Sequence, residues 1–345
     1  MKDNIRLLIV DDSKVMRDAI AEMFSFDSNI EVVGQAANGE EAIKAISLYK
    51  PDVITLDVAM PVMDGITALK HIMIKSPIPT VMLSSLTLEG ARVAFDALRY
   101  GAVDFIAKPS ALQDTDLSEQ EADIRSKIEY AADVEVGSIK YIRTDHHKLV
   151  QDYSFANNRP EKVVAIGTAE GGYGALLKII PHLNSDVPYS YMITMYAIRE
   201  HVDAFASYLN NISGIHVKRG AHDDVLRPGV VYLNSDMDYM TVHAQGDDYT
   251  LHVSPAPFAS RKGAVDMMMF SLAEALSSDA VGVVLSGHGV DGSEGMEEII
   301  HRGGFAVVQE PKSCLCKEMP LAVISRNESS NVYADTKIAS VINNL

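Results

Sequence analysis

The chain has 345 residues, a formal net charge of −17 and a hydrophobic content of 47%. This length predicts two domains, and the acidic balance disfavours broad contact with nucleic acid, because phosphate binding requires clustered Lys and Arg. No apolar run of the sequence reaches the roughly 18 residues of a membrane-spanning helix, so we expect a protein that is not membrane-inserted.

The N-terminal segment contains one short apolar run, at residues 7–10, which ends at Asp11 and Asp12. That run is too short for the apolar region of a secretion signal, so cytoplasmic localisation is expected. Cys314 and Cys316 lie too close in sequence for an easy disulfide, and we expect two reduced thiols.

Residues 5 to about 110 alternate short apolar runs with amphipathic segments, which predicts a parallel sheet flanked by helices. Five strands are predicted, at residues 7–10, 31–36, 52–57, 80–85 and 104–108. Ligands of such sheets bind beyond the carboxyl ends of the strands. Polar and ionisable side chains fall at those ends: Asp11, Asp12, Asp57, Ser84 and Lys108.

These residue types predict phosphoryl chemistry. Asp11, Asp12 and Asp57 would repel one another unless a divalent cation lay among them, and Mg²⁺ suits a site of oxygen ligands. Asp57 can then attack a phosphoryl group, while Lys108 pairs with the new charge and the Ser84 hydroxyl donates a hydrogen bond. The pattern therefore predicts a switch controlled by phosphorylation.

Four segments resemble a response-regulator receiver domain: VDD at 10–12, LDVAMPVMDG at 56–65, SSLT at 84–87 and KP at 108–109. The resemblance implies a flavodoxin-like (βα)5 fold with Asp57 as the phosphoacceptor. It implies that Mg²⁺ is held by Asp11, Asp12, Asp57 and the Ala59 carbonyl. It also implies three phosphate-sensing residues, namely Ser84, Lys108 and, through a change of rotamer, Phe105.

Residues 111 to about 160 form a polar connector in which the alternation stops. Ile124, Ile128 and Ala132 recur at helical spacing, which predicts one helix followed by a looser tether. We therefore expect a receiver domain at residues 1–118, a linker with a helix at 119–158 and an effector domain at 159–345. His146 and His147 are interpreted as solvated surface.

After the connector the alternation of strands and helices resumes. Strands are predicted at residues 163–167, 191–196, 229–234, 249–255, 280–287 and 304–310. Helices are predicted at residues 173–183, 203–212, 264–276 and 293–302. The pattern favours a second α/β unit, with a doubly wound parallel sheet.

The segment VVAIGTAEGGYGALLKII, at 163–180, has the frame of the nucleophile loop of a serine esterase. A β-branched run enters a glycine-rich turn and leaves as an amphipathic helix, but the nucleophile position is occupied by Ala169. Dinucleotide binding is disfavoured as well, because Ala169 stands where the second glycine of that fingerprint would admit a pyrophosphate.

Four phrases resemble the catalytic domain of the chemotaxis protein-glutamate methylesterases, the CheB-type family: AIGTAEGG, LRPGVVYLNSD, LSGHGVDGSEGM and GGFAVVQEPKSC. That family joins a receiver to an esterase that demethylates receptor glutamates and deamidates receptor glutamines, using a serine, a histidine and an aspartate. By this resemblance Ala169 holds the serine position, Tyr196 holds the histidine position and Asp291 keeps the aspartate. The resemblance also implies two partners, a histidine kinase of the chemotaxis type and a chemoreceptor or receptor-like protein.

These replacements predict an effector that binds without hydrolysing, since a methyl group cannot attack an ester and a tyrosine with a pKa of about 10 is a poor base. The alternative is an active methylesterase or deamidase with displaced catalytic residues, drawn from Thr168, His201 and His288 together with Asp291. A third hypothesis is that the protein mainly drains phosphoryl groups from a kinase.

Overall fold

The computed structural model describes residues 4–84, 88–108, 117–134, 136, 159–256, 263–327 and 329–345. The chain divides into two compact units, Met1–Arg143 and Thr144–Leu345. Within the described ranges, none of the helices has the length and apolar character needed to cross a membrane. Residues 85–87, Pro109, His146 and His147, which entered the sequence interpretation, lie outside the described residues.

The first unit is a five-stranded parallel sheet in the order β2-β1-β3-β4-β5, which confirms the predicted receiver fold. The strands are β1 (Ile5–Val10), β2 (Ile30–Ala36), β3 (Val53–Asp57), β4 (Thr80–Ser84) and β5 (Asp104–Ala107). The helices are α1 (Lys14–Met23), α2 (Gly39–Tyr49), α3 (Gly65–Lys75), α4 (Leu88–Arg99) and α5 (Leu117–Ala132).

The loop after β3 folds tightly over the end of that strand. Asp64 caps α3, because its side chain accepts a hydrogen bond from the Thr67 N–H at 2.8 Å. A Cβ atom at Gly65 would lie 1.9 Å from the Asp57 carbonyl oxygen, so only glycine allows this approach. The cap and the glycine together fix the loop beside Asp57.

The helix that the sequence predicts in the linker is α5, and it packs against the first unit. Ile124 and Ile128 are buried, and Arg125 forms an ion pair with Asp27. The Lys127 ammonium donates to the carbonyl of Phe105 on β5. These contacts make α5 the fifth helix of the receiver. One apolar face is enough to cover the sheet, even though the rest of the helix is polar.

The second unit is built on a seven-stranded parallel sheet in the order β14-β13-β12-β6-β7-β9-β8, which confirms the predicted α/β class. Its strands are β6 (Lys162–Thr168), β7 (Tyr189–Met195), β8 (His216–Arg219), β9 (Val230–Ser235), β12 (Ala280–Val284), β13 (Phe305–Gln309) and β14 (Asn331–Tyr333). Its helices are α6 (Gly172–Ile179), α7 (Arg199–Ile212), α8 (Ala264–Leu276), α9 (Ser293–His301), α10 (Glu318–Arg326) and α11 (Asp335–Ile342).

A separate antiparallel hairpin joins β10 (Asp238–Gln245) to β11 (Asp248–Pro255). The strand predicted at 249–255 thus pairs with an unpredicted neighbour and not with the parallel sheet, because Gly246, with φ of +61°, turns the chain back. Met268 and Met269 of α8 are buried in the core that includes this hairpin, whereas the neighbouring Met267 is 41% exposed.

The order of the strands places a crevice at the carboxyl ends of β6 and β12. From β6 the chain continues to β7 on one side, and β12 later adds on the other side, so the winding reverses between β6 and β12. Ligands of open α/β sheets bind at such switch points. Ala169 and Ser286, which follow these two strands, are joined by a 3.0 Å backbone hydrogen bond.

Candidate functional sites

The first site lies at the carboxyl ends of β1, β3 and β5. Asp11 is fully buried and Asp57 is only 3% exposed. The Lys108 ammonium lies 2.9 Å from Asp11 Oδ2 and 2.8 Å from Asp57 Oδ1. One cation therefore pairs with two buried carboxylates.

Burial and charge have opposite effects on these groups. Burial raises the pKa of the Asp57 carboxyl above its usual value, although the hydrogen bond from Lys108 acts in the other direction. For Lys108, burial lowers the pKa, but the hydrogen bonds to Asp57 and Asp11 outweigh it and the net pKa is raised. Lys108 therefore stays charged at neutral pH.

The acidic residues fit a divalent cation. Oxygen atoms of Asp11, Asp12 and Asp57 lie within 4.8 Å of one another, and a set of oxygen ligands alone suits Mg²⁺. The Ala59 N–H donates to the Asp57 carboxylate. The role of the Ala59 carbonyl as a ligand remains a prediction.

The predicted phosphate-sensing residues lie on the neighbouring strands. Ser84 ends β4 and is buried, and its carbonyl accepts from the Lys108 N–H at 2.9 Å. Phe105 on β5 is also buried, in edge contact with Phe95 at 5.8 Å between ring centroids. The sensing roles of Ser84 and Phe105 remain predictions.

The second site lies in the crevice of the second unit, around Asp291. The Tyr196 hydroxyl donates to Asp291 Oδ2 at 2.6 Å. The same carboxylate accepts the Val265 N–H at 3.0 Å and the Asp266 N–H at 2.9 Å, both in the first turn of α8. Asp291 is thus held by a helix N-terminus, where negative charge is stabilised.

The hydroxyl of Tyr196 is a donor at this position. Burial, followed by the negative charge of Asp291, raises the pKa of Tyr196 far above its usual value. Burial and the same neighbour raise the pKa of the Asp266 carboxyl to about 7. The tyrosine therefore stays protonated and cannot accept a proton from a nucleophile at neutral pH.

The turn that would present a nucleophile is kept, with Ala169 at its start. Gly171 has φ of +82°, and a Cβ atom there would lie 2.6 Å from Leu315 Cβ. The Gly172 N–H donates to the Ala169 carbonyl at 2.9 Å. This N–H is therefore engaged in a hydrogen bond within the turn.

The candidates for displaced catalysis have other partners. Thr168 is fully buried, and its hydroxyl donates to the Ser286 carbonyl at 2.8 Å. His288 Nδ1 lies 2.9 Å from Glu318 Oε2. His201 lies in the first turn of α7 and is half-buried. The hydroxyl that contacts Asp291 is that of Tyr196.

Two glutamates lie beside His288, of which the sequence pattern pointed to Glu170 and not to Glu318. Glu170 Oε2 accepts the His288 N–H at 2.8 Å, and Glu318 Oε2 accepts the Gly289 N–H at 3.0 Å. Glu170 directly follows Ala169 in the turn, which was the one signal available in the sequence. Glu318 begins a helix that was not predicted, so nothing in its spacing pointed to this loop.

Comparison with known proteins identifies the family. A family model described as CheB methylesterase matches residues 164–342, and one described as response regulator receiver domain matches residues 7–117. The chain belongs to the CheB methylesterase family. Its two domains are those of a chemotaxis-type response regulator.

The relatives match over nearly their full length. A protein of Halalkalibacterium halodurans named protein-glutamate methylesterase/protein-glutamine glutaminase is 35% identical over 328 residues, 94% of each chain. A protein of Archaeoglobus fulgidus with the same name is 36% identical and covers 98% of this chain and 97% of its own. The crystal structure of the Thermotoga maritima CheB methylesterase catalytic domain superposes with a TM-score of 0.51 at 24% identity. The match covers 53% of this chain and 97% of that one, and it supports the fold of the second unit.

Proposed function

We propose that this protein is a phosphorylation-controlled response regulator whose methylesterase-like domain acts by binding and not by hydrolysis. The observation that carries the proposal is the hydrogen bond from Tyr196 to Asp291, beside a turn that begins with Ala169. Asp291, which in the family's mechanism would orient a general base, here accepts a hydrogen bond from the Tyr196 hydroxyl.

Ester or amide hydrolysis of the family's type needs a nucleophile and a base. The Ala169 side chain has no group that can attack a carbonyl, and the Tyr196 hydroxyl keeps its proton and donates a hydrogen bond to Asp291. Loss of one member of such a unit typically lowers turnover by a factor of about 10⁴ to 10⁶. With both positions replaced, turnover by this route falls to background.

In the receiver, we propose that Asp57 accepts a phosphoryl group. A bound Mg²⁺ would supply positive charge for the phosphoryl oxygens, held by Asp11, Asp12, Asp57 and the Ala59 carbonyl. Lys108 is already placed on Asp57 by a 2.8 Å contact and can follow the added charge. The Ser84 hydroxyl would donate to the phosphoryl group, and Phe105 would respond by changing rotamer.

The proposed partners follow from the two domains. A histidine kinase of the chemotaxis type would donate the phosphoryl group, and a chemoreceptor or receptor-like protein would bind the effector, in the cytoplasm. Phosphorylation of Asp57 would change the affinity of the effector domain for that receptor.

The test is the affinity of the full-length protein for a chemoreceptor signalling fragment, measured with and without beryllofluoride, a phosphoryl mimic, in the presence of Mg²⁺. We expect the affinity to change with the mimic and to stay constant in Asp57→Asn. If the mimic alters neither receptor affinity nor protease protection of the effector domain, the proposal is wrong.

A second candidate is a working methylesterase with displaced residues, favoured by the names of the relatives. It predicts that Asp291→Ala abolishes turnover and that Thr168→Val or His288→Ala does so as well. It also predicts that Ala169→Ser has no effect. The buried hydrogen bond from Thr168 to Ser286 opposes this candidate.

A further inference from the structure

We propose that His288, Cys316 and Glu318 form a binding site for a divalent transition metal of the zinc class. One nitrogen, one sulfur and one oxygen atom of these three side chains lie within 4.8 Å of one another. His288 follows β12, whereas Cys316 and Glu318 lie at the start of α10, so two loops meet at this point. The site is separate from the oxygen-only cluster of the receiver.

The donor set selects the metal. Imidazole, thiolate and carboxylate are the ligands that zinc takes in proteins, whereas Mg²⁺ prefers oxygen alone. Zinc–ligand bonds of about 2.0–2.3 Å place the donor atoms of a tetrahedral site roughly 3.3–3.8 Å apart. Closing the observed cluster onto one ion therefore requires shifts of about an ångström.

The ligands that would have to shift onto a metal ion are the two solvent-exposed ones. Cys316 is only 1% exposed, whereas the side chains of His288 and Glu318 are 60% and 46% exposed. The two exposed side chains can reorient around a fixed sulfur. In the present geometry His288 Nδ1 and Glu318 Oε2 already lie 2.9 Å apart.

The backbone that carries the ligands is held by hydrogen bonds. The Cys316 N–H donates to Ser286 Oγ at 2.9 Å, and its carbonyl accepts the Gly287 N–H at 3.0 Å. Glu318 also accepts the Gly289 N–H, which leaves its second carboxylate oxygen to serve as a ligand. Outer contacts of this kind orient metal ligands.

Local charge favours a cation. Glu170 brings a second carboxylate to this loop through its 2.8 Å contact with the His288 N–H. On binding, a dication would be balanced by the Glu318 carboxylate and by the thiolate that Cys316 forms as its proton is released. Three protein ligands leave a fourth position for water or for an oxygen of a bound molecule. The site does not depend on whether the cleft binds a receptor.

The neighbouring turn places this site beside the position of the missing nucleophile. A Cβ atom at Gly287 would lie 2.8 Å from the Ala169 Cβ, so Gly287 packs directly on Ala169. A metal held by the next residue, His288, would therefore lie at the edge of the same crevice.

The test is zinc titration of the reduced full-length protein, after removal of metals with a chelator, in excess Mg²⁺ to occupy the receiver. We expect one tight equivalent of Zn²⁺, weakened at least about tenfold by Cys316→Ser, Glu318→Gln or His288→Gln. The matched controls Cys314→Ser and Glu310→Gln should bind as the parent does.

Cobalt gives an independent reading of sulfur ligation. Co²⁺ at this site should produce a thiolate charge-transfer band that Cys316→Ser removes and Cys314→Ser keeps. Glu318→Gln and His288→Gln replace exposed side chains and should fold. They therefore test the site even if Cys316→Ser, at a buried position, fails to fold.

Among the described residues, a second group of histidines is an alternative binding site for the zinc ion. The rings of His222 and His252 lie 4.4 Å apart, and those of His243 and His252 lie 6.0 Å apart. Loss of the tight equivalent in His222→Ala, or its retention in Cys316→Ser, would overturn the proposal. Absence of a cobalt band in the parent protein would also overturn it.

Discussion

The Tyr196 hydroxyl lies 2.6 Å from Asp291 Oδ2 and donates a hydrogen bond to that carboxylate. A hydrogen bond to a charged acceptor contributes about 1.5–3 kcal/mol to stability. We therefore expect Tyr196→Phe to lower the free energy of unfolding of the second unit by about that amount, measured by urea denaturation.

Tyr191 provides the matched control for this measurement. It is fully buried, and its hydroxyl has no hydrogen-bond partner among the described residues. Removing an unsatisfied buried hydroxyl is neutral or stabilising, so Tyr191→Phe should not lower the free energy of unfolding. An equal loss in both variants would show that the Tyr196 hydrogen bond contributes nothing of its own.

Asp266 should make the stability of the second unit depend on pH. Its pKa is raised from 3.8 to about 7 in the folded protein, chiefly by burial. Between these values the folded state binds more protons than the unfolded state, so stability falls as pH rises from about 4 to about 7. Asp266→Asn should flatten this part of the profile and stabilise the protein at pH 8, as measured by denaturation over a pH series.

A suitable control for that profile is Asp279→Asn, at an exposed position in the same unit. It should leave the slope between pH 4 and pH 7 unchanged. An unaltered slope in Asp266→Asn would contradict the raised pKa.

The receiver should need α5 to fold. A fragment that ends at residue 118, the boundary predicted from the sequence, lacks Ile124 and Ile128, which are buried against the sheet. Loss of one such side chain costs about 2–5 kcal/mol, which approaches the whole stability of a small domain. A fragment of residues 1–136 should unfold cooperatively by circular dichroism, and the shorter one should not. If the two fragments were equally stable, the boundary at residue 118 would be correct and α5 would not be needed for folding.

Lys108 should stabilise the receiver chiefly in the absence of metal. It pairs with two buried carboxylates, so Lys108→Met leaves uncompensated charge and should cost about 3 kcal/mol in the 1–136 fragment. Mg²⁺ should recover part of this loss. The exposed pair of Lys14 and Asp18 is the control, since Lys14→Met should cost less than about 1 kcal/mol. A loss that Mg²⁺ leaves untouched would argue against cation binding by these aspartates.

The convergence of Asp11, Asp57 and Lys108 could be predicted from the sequence because all three residues follow or end strands, whereas their roles in phosphoryl transfer stay predictions. Parallel strands end at one edge of a sheet, so Asp11, Asp57 and Lys108 converge once the strands are assigned. Tyr196 was assigned to the histidine position by resemblance to the family, and the structure shows its hydroxyl hydrogen-bonded to Asp291.

Other features depend on contacts between distant segments, which a local pattern does not encode. The strand β10 is polar at its outer end, and it is held by pairing with β11 and by contact with α8. The helix α5 carries acidic residues typical of a linker, yet four of its apolar side chains, those of Ile124, Ile128, Ala131 and Ala132, are buried. Cys316 and Glu318 meet His288 only through the fold of two loops.

The most direct test of the account is the release of methanol from a methylated chemoreceptor by the full-length protein, activated with beryllofluoride and compared with an authentic methylesterase. The assay is run in excess Mg²⁺ to keep the receiver activated, once with added zinc and once with a chelator selective for zinc, so that any zinc-dependent turnover is recognised as such. The account predicts no release above background in either condition. Turnover within about a hundredfold of the authentic enzyme would contradict it, since the proposed replacement of serine by Ala169 and of histidine by Tyr196 predicts losses of about 10⁴ or more.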